Sequence, residues 1–260
     1  MPEALALAGV AATHSPHDAE GLLVAAVLKD ASGDADGARE AYEQVLALDP
    51  RSLTALNNLA CLQEAHFRNL DLALELAQRA RQVAANDPAA ADTLGWILYQ
   101  KGYYSRAAGP AAEAVTGLPD SALVHYHLDL TRYMLGDEVG ARAALERALG
   151  LTLEDDSAAE ARRRLAVLSL DASYASAGDI AQLEAAPNLS RDAIALRRLG
   201  AMQAAAGHPA AAITRYEQAL RLAPPNPQAA LKLIELHRAN GDLPRALEVA
   251  RTMHRALPDD

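Results

Sequence analysis

Residues 95–119, with the sequence GWILYQKGYYSRAAGPAAEAVTGLP, decide the fold of this 260-residue chain. Counted from Gly95, small residues stand at offsets of 7, 12, 16 and 19, and a proline stands at offset 24. Residues 200–224, GAMQAAAGHPAAAITRYEQALRLAP, follow the same scheme, with a tyrosine at offset 16. Gly102 and Gly136 lie 34 residues apart, as do Gly207 and Gly241. The chain is therefore built from an internal repeat of about 34 residues.

Further copies of the repeat extend over nearly the whole chain. The offsets also fit when they are counted from Ala26, Asp129 and Ile234. Another copy, which opens with Asn57, fits only with one inserted residue in the connection around residues 66–70. Surface connections tolerate such insertions, so we expect the repeat to keep its structure there.

The chemistry of each unit predicts two short antiparallel helices. Glycine ends the first helix, because it accepts the left-handed conformation at a helix C-terminus. Aspartate follows directly in Gly33-Asp34, Gly136-Asp137 and Gly241-Asp242, as expected at the start of a second helix. That helix carries small residues on one stripe, and a proline closes the unit. Since one helix pair cannot bury its apolar faces alone, the pairs should stack into a solenoid.

This pattern resembles the tetratricopeptide repeat (TPR) family. The resemblance is carried by the 34-residue period, the small residues at the offset of Gly95, the alanines at the offset of Ala107 and the closing prolines. It implies an all-α fold, a right-handed superhelical solenoid of antiparallel helix pairs. The chain departs from the family where Leu22, Leu56, Ala91 and Leu196 replace a frequent tryptophan and where Asp129 replaces a glycine.

The repeat divides the chain into four parts. We expect a half-repeat or capping helix at residues 1–18, four TPR-like repeats at 19–155, a degenerate repeat at 156–192 and two TPR-like repeats at 193–260. Residues 157–177 contain no proline or glycine, so the first helix of the degenerate repeat should run about two turns too long. Pro187 should cut its second helix short, and Ser190 should cap the helix that follows. This part is either an irregularity of stacking or a hinge or lateral docking feature.

Composition excludes several classes of protein. The formal net charge of −10 argues against general nucleic-acid binding. Cys61 is the only cysteine, so no internal disulfide or multi-cysteine zinc site is possible. No apolar run reaches the length of a membrane span, and we expect no direct insertion into a membrane.

The compartment stays open at this point. Few lysines beside many arginines and alanines suggest a bacterial protein. The first residues lack the basic region of a signal peptide, which indicates a cytoplasmic protein if the chain is complete. Residues 57–107 also resemble TPR proteins of bacterial envelope and exopolysaccharide systems, which implies the periplasm or envelope if the chain is a fragment of a longer protein.

Motifs of catalysis and of metal or cofactor binding do not occur. The chain has no phosphate-binding glycine loop, no HExxH and no GxSxG, so we expect neither an enzyme nor a cofactor. His125 and His127 are two residues apart, which points them about 200° apart on a helix and prevents them from sharing a metal.

One set of side chains nevertheless suggests a binding surface. Asp92, Trp96 and Tyr99 are spaced by four and three residues, so they share one face of a helix. The same spacing recurs one period later in Tyr126, Leu130 and Tyr133, and Asn57 holds the equivalent place one unit earlier. The resemblance implies that this face lines a concave, peptide-binding groove. The alternative is that the aromatic rings pack between neighbouring helices.

We therefore expect a non-enzymatic adaptor that binds a peptide or a segment of another protein in this groove. The partner should be apolar with a basic residue, because Asp92 adds negative charge beside the aromatic rings. Two alternatives are a scaffold that self-associates end to end and an accessory repeat region of a larger, possibly enzymatic, envelope protein.

Overall fold

A computed structural model describes residues 18–222 and 226–256 of the chain. Within these residues it contains fourteen α-helices, one short 3₁₀ turn and no strand, which confirms the expected all-α fold of paired helices. The half-repeat or capping helix that the sequence suggests for residues 1–18 lies outside the described residues, apart from Asp18. That residue caps the first described helix, since its carboxylate accepts the N–H of Glu20 at 3.1 Å.

The chain divides into two compact units, residues 1–131 and 132–260. The helices that begin in the first unit are α1 (Ala19–Ala31), α2 (Ala35–Leu48), α3 (Leu53–Ala65), α4 (Leu70–Val83), α5 (Pro88–Gln100), α6 (Tyr104–Gly117) and α7 (Ala122–Leu135). Their main contacts run between consecutive helices from α1 to α6, and α3 also contacts α5. Each helix pair is therefore stabilised by the next pair, as in a solenoid.

Local chemistry explains where these helices begin and end. Asp34 and Asp87 cap α2 and α5, accepting the backbone N–H of Gly37 at 3.0 Å and of Ala90 at 2.8 Å. The glycines that follow the first helix of a pair all have a positive φ, between 75° and 84°: Gly33, Gly102, Gly136, Gly207 and Gly241. The predicted glycine stops and aspartate starts are thus confirmed.

The inserted residue of the second pair lies in the expected connection. Four residues separate α3 from α4, whereas three separate α1 from α2. Arg68 takes the left-handed conformation there, with φ of 53°, where five other pairs use glycine. Asn69 then caps α4 by accepting the N–H of Leu72 at 3.3 Å. The insertion is absorbed in this connection, and both helices keep their lengths.

Small residues let the paired helices approach closely. Ala26, Ala38, Ala60 and other alanines of the first unit are fully buried. A Cβ atom on Gly95 would lie 3.1 Å from the backbone nitrogen of Ala111, so this glycine is required by the short distance between α5 and α6. The tight packing of α5 against α6 leaves its opposite face for the predicted site residues.

The second unit continues with α8 (Glu138–Gly150), α9 (Asp155–Ser169), α10 (Ala177–Glu184), α11 (Ala193–Ala205), α12 (Pro209–Leu222), α13 (Pro227–Ala239) and α14 (Leu243–Ala256). Consecutive helices again make most of the contacts, and α9 also packs against α11. The pairs α11–α12 and α13–α14 follow the same scheme of caps and small buried residues as the first unit.

The irregular part of the chain differs from the prediction in its first helix. The expected run of about two extra turns is wrong, because α9 ends at Ser169. Arginine side chains from other helices hold the chain there: Arg142 donates to the carbonyl oxygen of Leu168, and Arg198 donates to that of Leu170. These long-range hydrogen bonds favour an end to the helix that no local proline or glycine signals.

The cap of α11 also differs from the prediction. Ser190 lies inside the 3₁₀ turn Leu189–Arg191, so it does not cap the helix. Asp192 does so instead, and its carboxylate accepts the N–H of Ala195 at 2.9 Å. Helix α10 ends at Glu184, ahead of Pro187, as the sequence indicated.

Candidate functional site

Helix α5 places three of the predicted site residues on one partly exposed face. Its core side is formed by Ala91, Gly95 and Leu98, which are buried. Asp92, Trp96 and Tyr99 lie away from that side and keep contact with solvent. Because the packing of Gly95 against α6 sets the rotation of the helix, the orientation of these side chains follows from the core.

The rings of this face stack on one another. The centroids of Trp96 and Tyr99 are 5.4 Å apart with an interplanar angle of 13°. The imidazole of His127, from α7, stacks on Trp96 at 4.3 Å and 18°. Its Nδ1–H donates to Asp92 Oδ1 over 2.9 Å. We call Asp92, Trp96, Tyr99 and His127 the aromatic–acidic cluster.

His127 was not among the predicted site residues, although its position gives a signal. It lies one residue further along the repeat than Tyr126, at the place that Thr93 holds in the preceding pair. Thr93 Oγ1 likewise contacts the preceding pair, at 3.6 Å from Cys61 Sγ. This position of the first helix therefore faces the previous pair, and His127 holds the cluster together.

Two polar side chains of α3 precede the cluster by one helix pair, and one of them, Cys61, contacts Thr93 of α5. Asn57 is partly buried, and its Oδ1 is fully enclosed without a hydrogen-bond partner among the described residues. Cys61 stays open to water, yet surrounding protein atoms remove much of the hydration of its thiol. This desolvation, together with the carboxylates of Asp92 and Glu64, raises the pKa of Cys61. The thiol is therefore protonated and unreactive near neutral pH.

Carboxylates give this part of the first unit a negative charge. Asp30 accepts a hydrogen bond from the hydroxyl of Tyr42 at 3.3 Å, and its charge reaches Cys61 together with those of Glu64 and Asp92. Within the described part of the chain, Glu64 has only the exposed Arg68 as an ion-pair partner, at 3.8 Å. Salt and water screen that pair, so the local charge remains negative.

The other three predicted groove residues offer little surface to a ligand. Tyr126 and Leu130 are buried, and Tyr133 is only 2% exposed. The Tyr133 hydroxyl donates to the carboxylate of Asp192, 3.0 Å from each oxygen, and burial raises its pKa. The guanidinium of Arg164 lies 4.6 Å above its ring. The hydrogen bond of Tyr133 with Asp192 therefore joins the last turn of α7 to the N-cap of α11, both within the second unit.

The remaining candidates have structural roles or stay apart. His125 Nε2 is hydrogen-bonded to the carbonyl oxygen of Pro119 at 2.9 Å, which satisfies it locally. Across residues 18–222 and 226–256, no three His, Cys, Asp or Glu side chains come together as a metal site. No helix in that same part of the chain is long and apolar enough to span a membrane.

Comparison with known proteins places this helix-pair architecture among repeat proteins. The sequence profile described as "Tetratricopeptide repeat" matches residues 23–91 and 203–260. Both matched stretches are tetratricopeptide repeats, and they lie in different units of the chain. Members of this family are in general non-catalytic repeat scaffolds, and the fold indicates an adaptor role in protein–protein interaction. No curated protein sequence matches the chain.

Solved structures share the fold at low sequence identity. The MamA RS-1 ArsTM double mutant is 22% identical with a TM-score of 0.51, over 58% of this chain and 84% of that one. The APC/C hetero-tetramer Cut9-Hcn1 is 15% identical with a TM-score of 0.52, and the match covers 98% of this chain but only 44% of that one. YrrB, a TPR protein with an unusual peptide-binding site, is 14% identical with a TM-score of 0.50, and the match covers 86% of this chain and 95% of that one.

Proposed function

We propose that this protein is a non-enzymatic adaptor that binds a peptide segment of a partner protein at the aromatic–acidic cluster of the first unit. The observation that carries the proposal is the stacked pair of Trp96 and Tyr99, partly exposed beside the carboxylate of Asp92. The chain has a single tryptophan and a single phenylalanine. Aromatic residues are enriched in the energetic centres of protein interfaces, which supports a binding role for this pair.

The charge around the cluster favours a basic ligand. Asp30, Glu64 and Asp92 contribute three carboxylates, and the chain as a whole carries −10. A Lys or Arg side chain near Trp96 would gain both from these carboxylates and from the face of the indole. An apolar neighbour in the ligand would cover the rest of the rings. We therefore favour a segment that alternates basic and apolar residues.

The polar side chain of Asn57 would fix the orientation of a bound peptide. Asn57 is partly exposed, and after a rotation of its side chain Oδ1, which has no partner among the described residues, would accept a backbone N–H of a bound peptide. An extended or helical-end segment exposes such N–H groups. Of the seven predicted groove residues, the proposal thus keeps Asn57, Asp92, Trp96 and Tyr99. YrrB, whose name records an unusual peptide-binding site, supports a peptide as the class of ligand.

The proposal is tested with peptides selected from a random dodecapeptide phage library. We expect the selected peptides to combine Lys or Arg with Leu or Phe, and to shift the emission of Trp96 when they bind. Trp96→Ala should weaken a fluorescein-labelled selected peptide about 30-fold in fluorescence anisotropy, since truncating a hot-spot aromatic costs about 2 kcal/mol. Asp92→Asn should weaken basic peptides more than neutral ones.

The matched control is Tyr174→Ala, because Tyr174 is 87% exposed and lies in the second unit. This variant should bind the peptide as the parent protein does. Selection of acidic peptides, or an unchanged affinity in a folded Trp96→Ala variant, would refute the proposal. Loss of helicity in Trp96→Ala without selective loss of binding would assign the ring to the core instead.

Self-association is the second candidate function, and one observation favours it. In α13 and α14, Leu231 and Leu243 are more than half exposed and Leu247 is half exposed. Leu231 also lines a cavity of about 340 Å³, together with Pro227, Ile234 and Met253. Sedimentation analysis should then show a concentration-dependent dimer that Leu247→Glu abolishes. A strict monomer at high concentration would exclude this function.

A further inference from the structure

A second cavity, in the second unit, carries charge of the opposite kind. It has a volume of about 370 Å³ and lies where the start of α8 meets α11. Its lining includes Asp137, Glu138, Val139, Arg197, Arg198 and Gln228. None of these residues belongs to the aromatic–acidic cluster, so the cavity is independent of the function proposed above.

Two arginines share one carboxylate in this cavity. Arg197 pairs with Oε1 of Glu138, and Arg198 pairs with Oε2. Asp137 is committed elsewhere, because it caps Gly140 at 2.9 Å and faces Arg132 Nε at 3.7 Å. The shared carboxylate therefore neutralises only one of the two guanidinium charges.

The remaining charge nearby is weakly coupled. Asp171 is exposed, and its carboxylate favours the charged form of Arg198 from a distance. Water and salt screen such an interaction, whereas they screen buried groups much less. The cavity thus keeps a partial positive charge, which favours a singly charged anion.

Both arginines are short of solvent, and Arg198 also lacks one hydrogen-bond partner among the described residues. Their side chains are about four-fifths buried, at 20% and 18% exposure for Arg197 and Arg198. Burial lowers both pKa values, and for Arg197 the like charge of Arg198 adds to the effect. Arg198 Nη1 donates to Leu170, but its Nε is enclosed and has no acceptor among the described residues. An incoming oxyanion that reaches this Nε–H after a small rotation of the guanidinium would relieve this cost.

We propose that this cavity binds a monoanionic carboxylate, with Arg197 and Arg198 as its ligands and Glu138 as a built-in competitor. The planar fork of a guanidinium matches the two oxygens of a carboxylate. Glu138 shows this geometry already, since each of its oxygens faces one arginine. A ligand carboxylate binds beside Glu138 or displaces it. Its apparent affinity is therefore lowered by the competing ion pairs of Glu138 with the two arginines.

The test uses N-acetylglycine as the carboxylate probe and the whole chain as the protein. The Nε–H resonances of Arg197 and Arg198 are followed by ¹⁵N NMR at pH 6, with ionic strength kept constant by sodium chloride. We expect saturable shifts of both resonances. Arg198→Gln should weaken binding at least tenfold, and Glu138→Gln should tighten it at least threefold because the competitor is gone.

Two further variants keep the test decisive. Val139 lines the cavity and is 83% exposed, so Val139→Glu should leave the fold intact and weaken the probe by adding a tethered carboxylate. This variant decides the matter if Arg198→Gln does not fold. Arg215→Gln is the matched control, because Arg215 pairs with Glu184 at 3.6 Å on other helices. Its affinity for the probe should equal that of the parent protein.

Three results would overturn the proposal. The first is a shift that rises linearly with N-acetylglycine and equals the effect of chloride, which indicates screening alone. The second is saturation by inorganic phosphate without saturation by N-acetylglycine, which contradicts the carboxylate assignment. The third is weaker binding in a folded Glu138→Gln variant, which contradicts the competitor role.

Discussion

Replacing Tyr133 by phenylalanine separates a structural role from a ligand-binding role at this position. The ring would stay in place beneath Arg164, and only the hydroxyl would be lost. That hydroxyl donates to Asp192, 3.0 Å from each carboxylate oxygen, and the two residues are only 2% and 7% exposed. A groove residue would lose binding on substitution, whereas a structural residue would lose stability.

The cost follows from the charge of the acceptor. A buried hydrogen bond to a charged group contributes about 1.5–3 kcal/mol. Asp192 would keep its second role, because Oδ1 still accepts the N–H of Ala195 at 2.9 Å. The carboxylate is therefore not left wholly unsatisfied. We expect Tyr133→Phe to lower the free energy of unfolding of the second unit by about 1.5–2 kcal/mol, the lower part of that range.

Hydrogen exchange is the appropriate assay, because stacked helix pairs need not unfold in one step. Amide exchange of α7 and α11 should accelerate by about tenfold to thirtyfold in Tyr133→Phe, as the free energy requires. Urea unfolding followed by circular dichroism gives the global value. Tyr174→Phe is the control, and since Tyr174 is 87% exposed it should change stability by less than about 0.5 kcal/mol.

One result would refute this reasoning. If Tyr133→Phe unfolds within about 0.5 kcal/mol of the parent protein, the contact with Asp192 contributes little. A simultaneous loss of affinity for a selected peptide would then restore Tyr133 to the binding surface.

Three smaller predictions follow from backbone strain, burial and packing. Thr152 is a β-branched residue with φ of 67°, so Thr152→Gly should raise the free energy of unfolding by about 1 kcal/mol in a urea titration. The control is Ala143→Gly on the exposed side of α8, which should lower the free energy of unfolding by about 1 kcal/mol. Burial raises the pKa of Tyr42 to about 12, so the folded state favours the neutral phenol. The free energy that this preference adds to folding is fully present below pH ~10 and is lost as the pH rises towards 12. Unfolding midpoints of Tyr42→Phe should therefore fall less steeply over that interval, and an equal slope would contradict the shift. Gly95→Val should cost about 1–3 kcal/mol in the same urea titration, since a Cβ there lies 3.1 Å from Ala111, and unchanged stability would show that α6 yields.

The helices of this chain are predictable because their ends depend on near neighbours. A glycine at positive φ and an aspartate that caps the N–H three residues later act within one turn of backbone, as at Gly33 and Asp34. Even the inserted residue before α4 could be placed, since it falls between two helices whose own patterns are intact. The irregular part was harder, because Arg142 reaches Leu168 across 26 residues to favour the end of α9.

The candidate site was predictable only in part. Spacing by four and three residues correctly placed Asp92, Trp96 and Tyr99 on one face of α5. Spacing says nothing about what covers a face, however, so it treated the buried Tyr133 as equivalent to the partly exposed Tyr99. It also missed His127, whose bond to Asp92 joins residues 35 positions apart.

The sequence by itself determined the repeat, the helix pairs, the places where most helices begin and end, and the acidic charge of the chain. These depend on capping, backbone preference and composition, which act over a few residues or over the whole chain at once. Only the tertiary structure decided which aromatic side chains stay exposed and which carboxylate accepts the hydrogen bond of Tyr133. It also decided that Arg197 and Arg198 share Glu138, from which they are 59 and 60 residues away in the sequence. Burial and pairing depend on which helices become neighbours, and a repeat pattern that is the same in every unit does not encode how its side chains differ in surroundings.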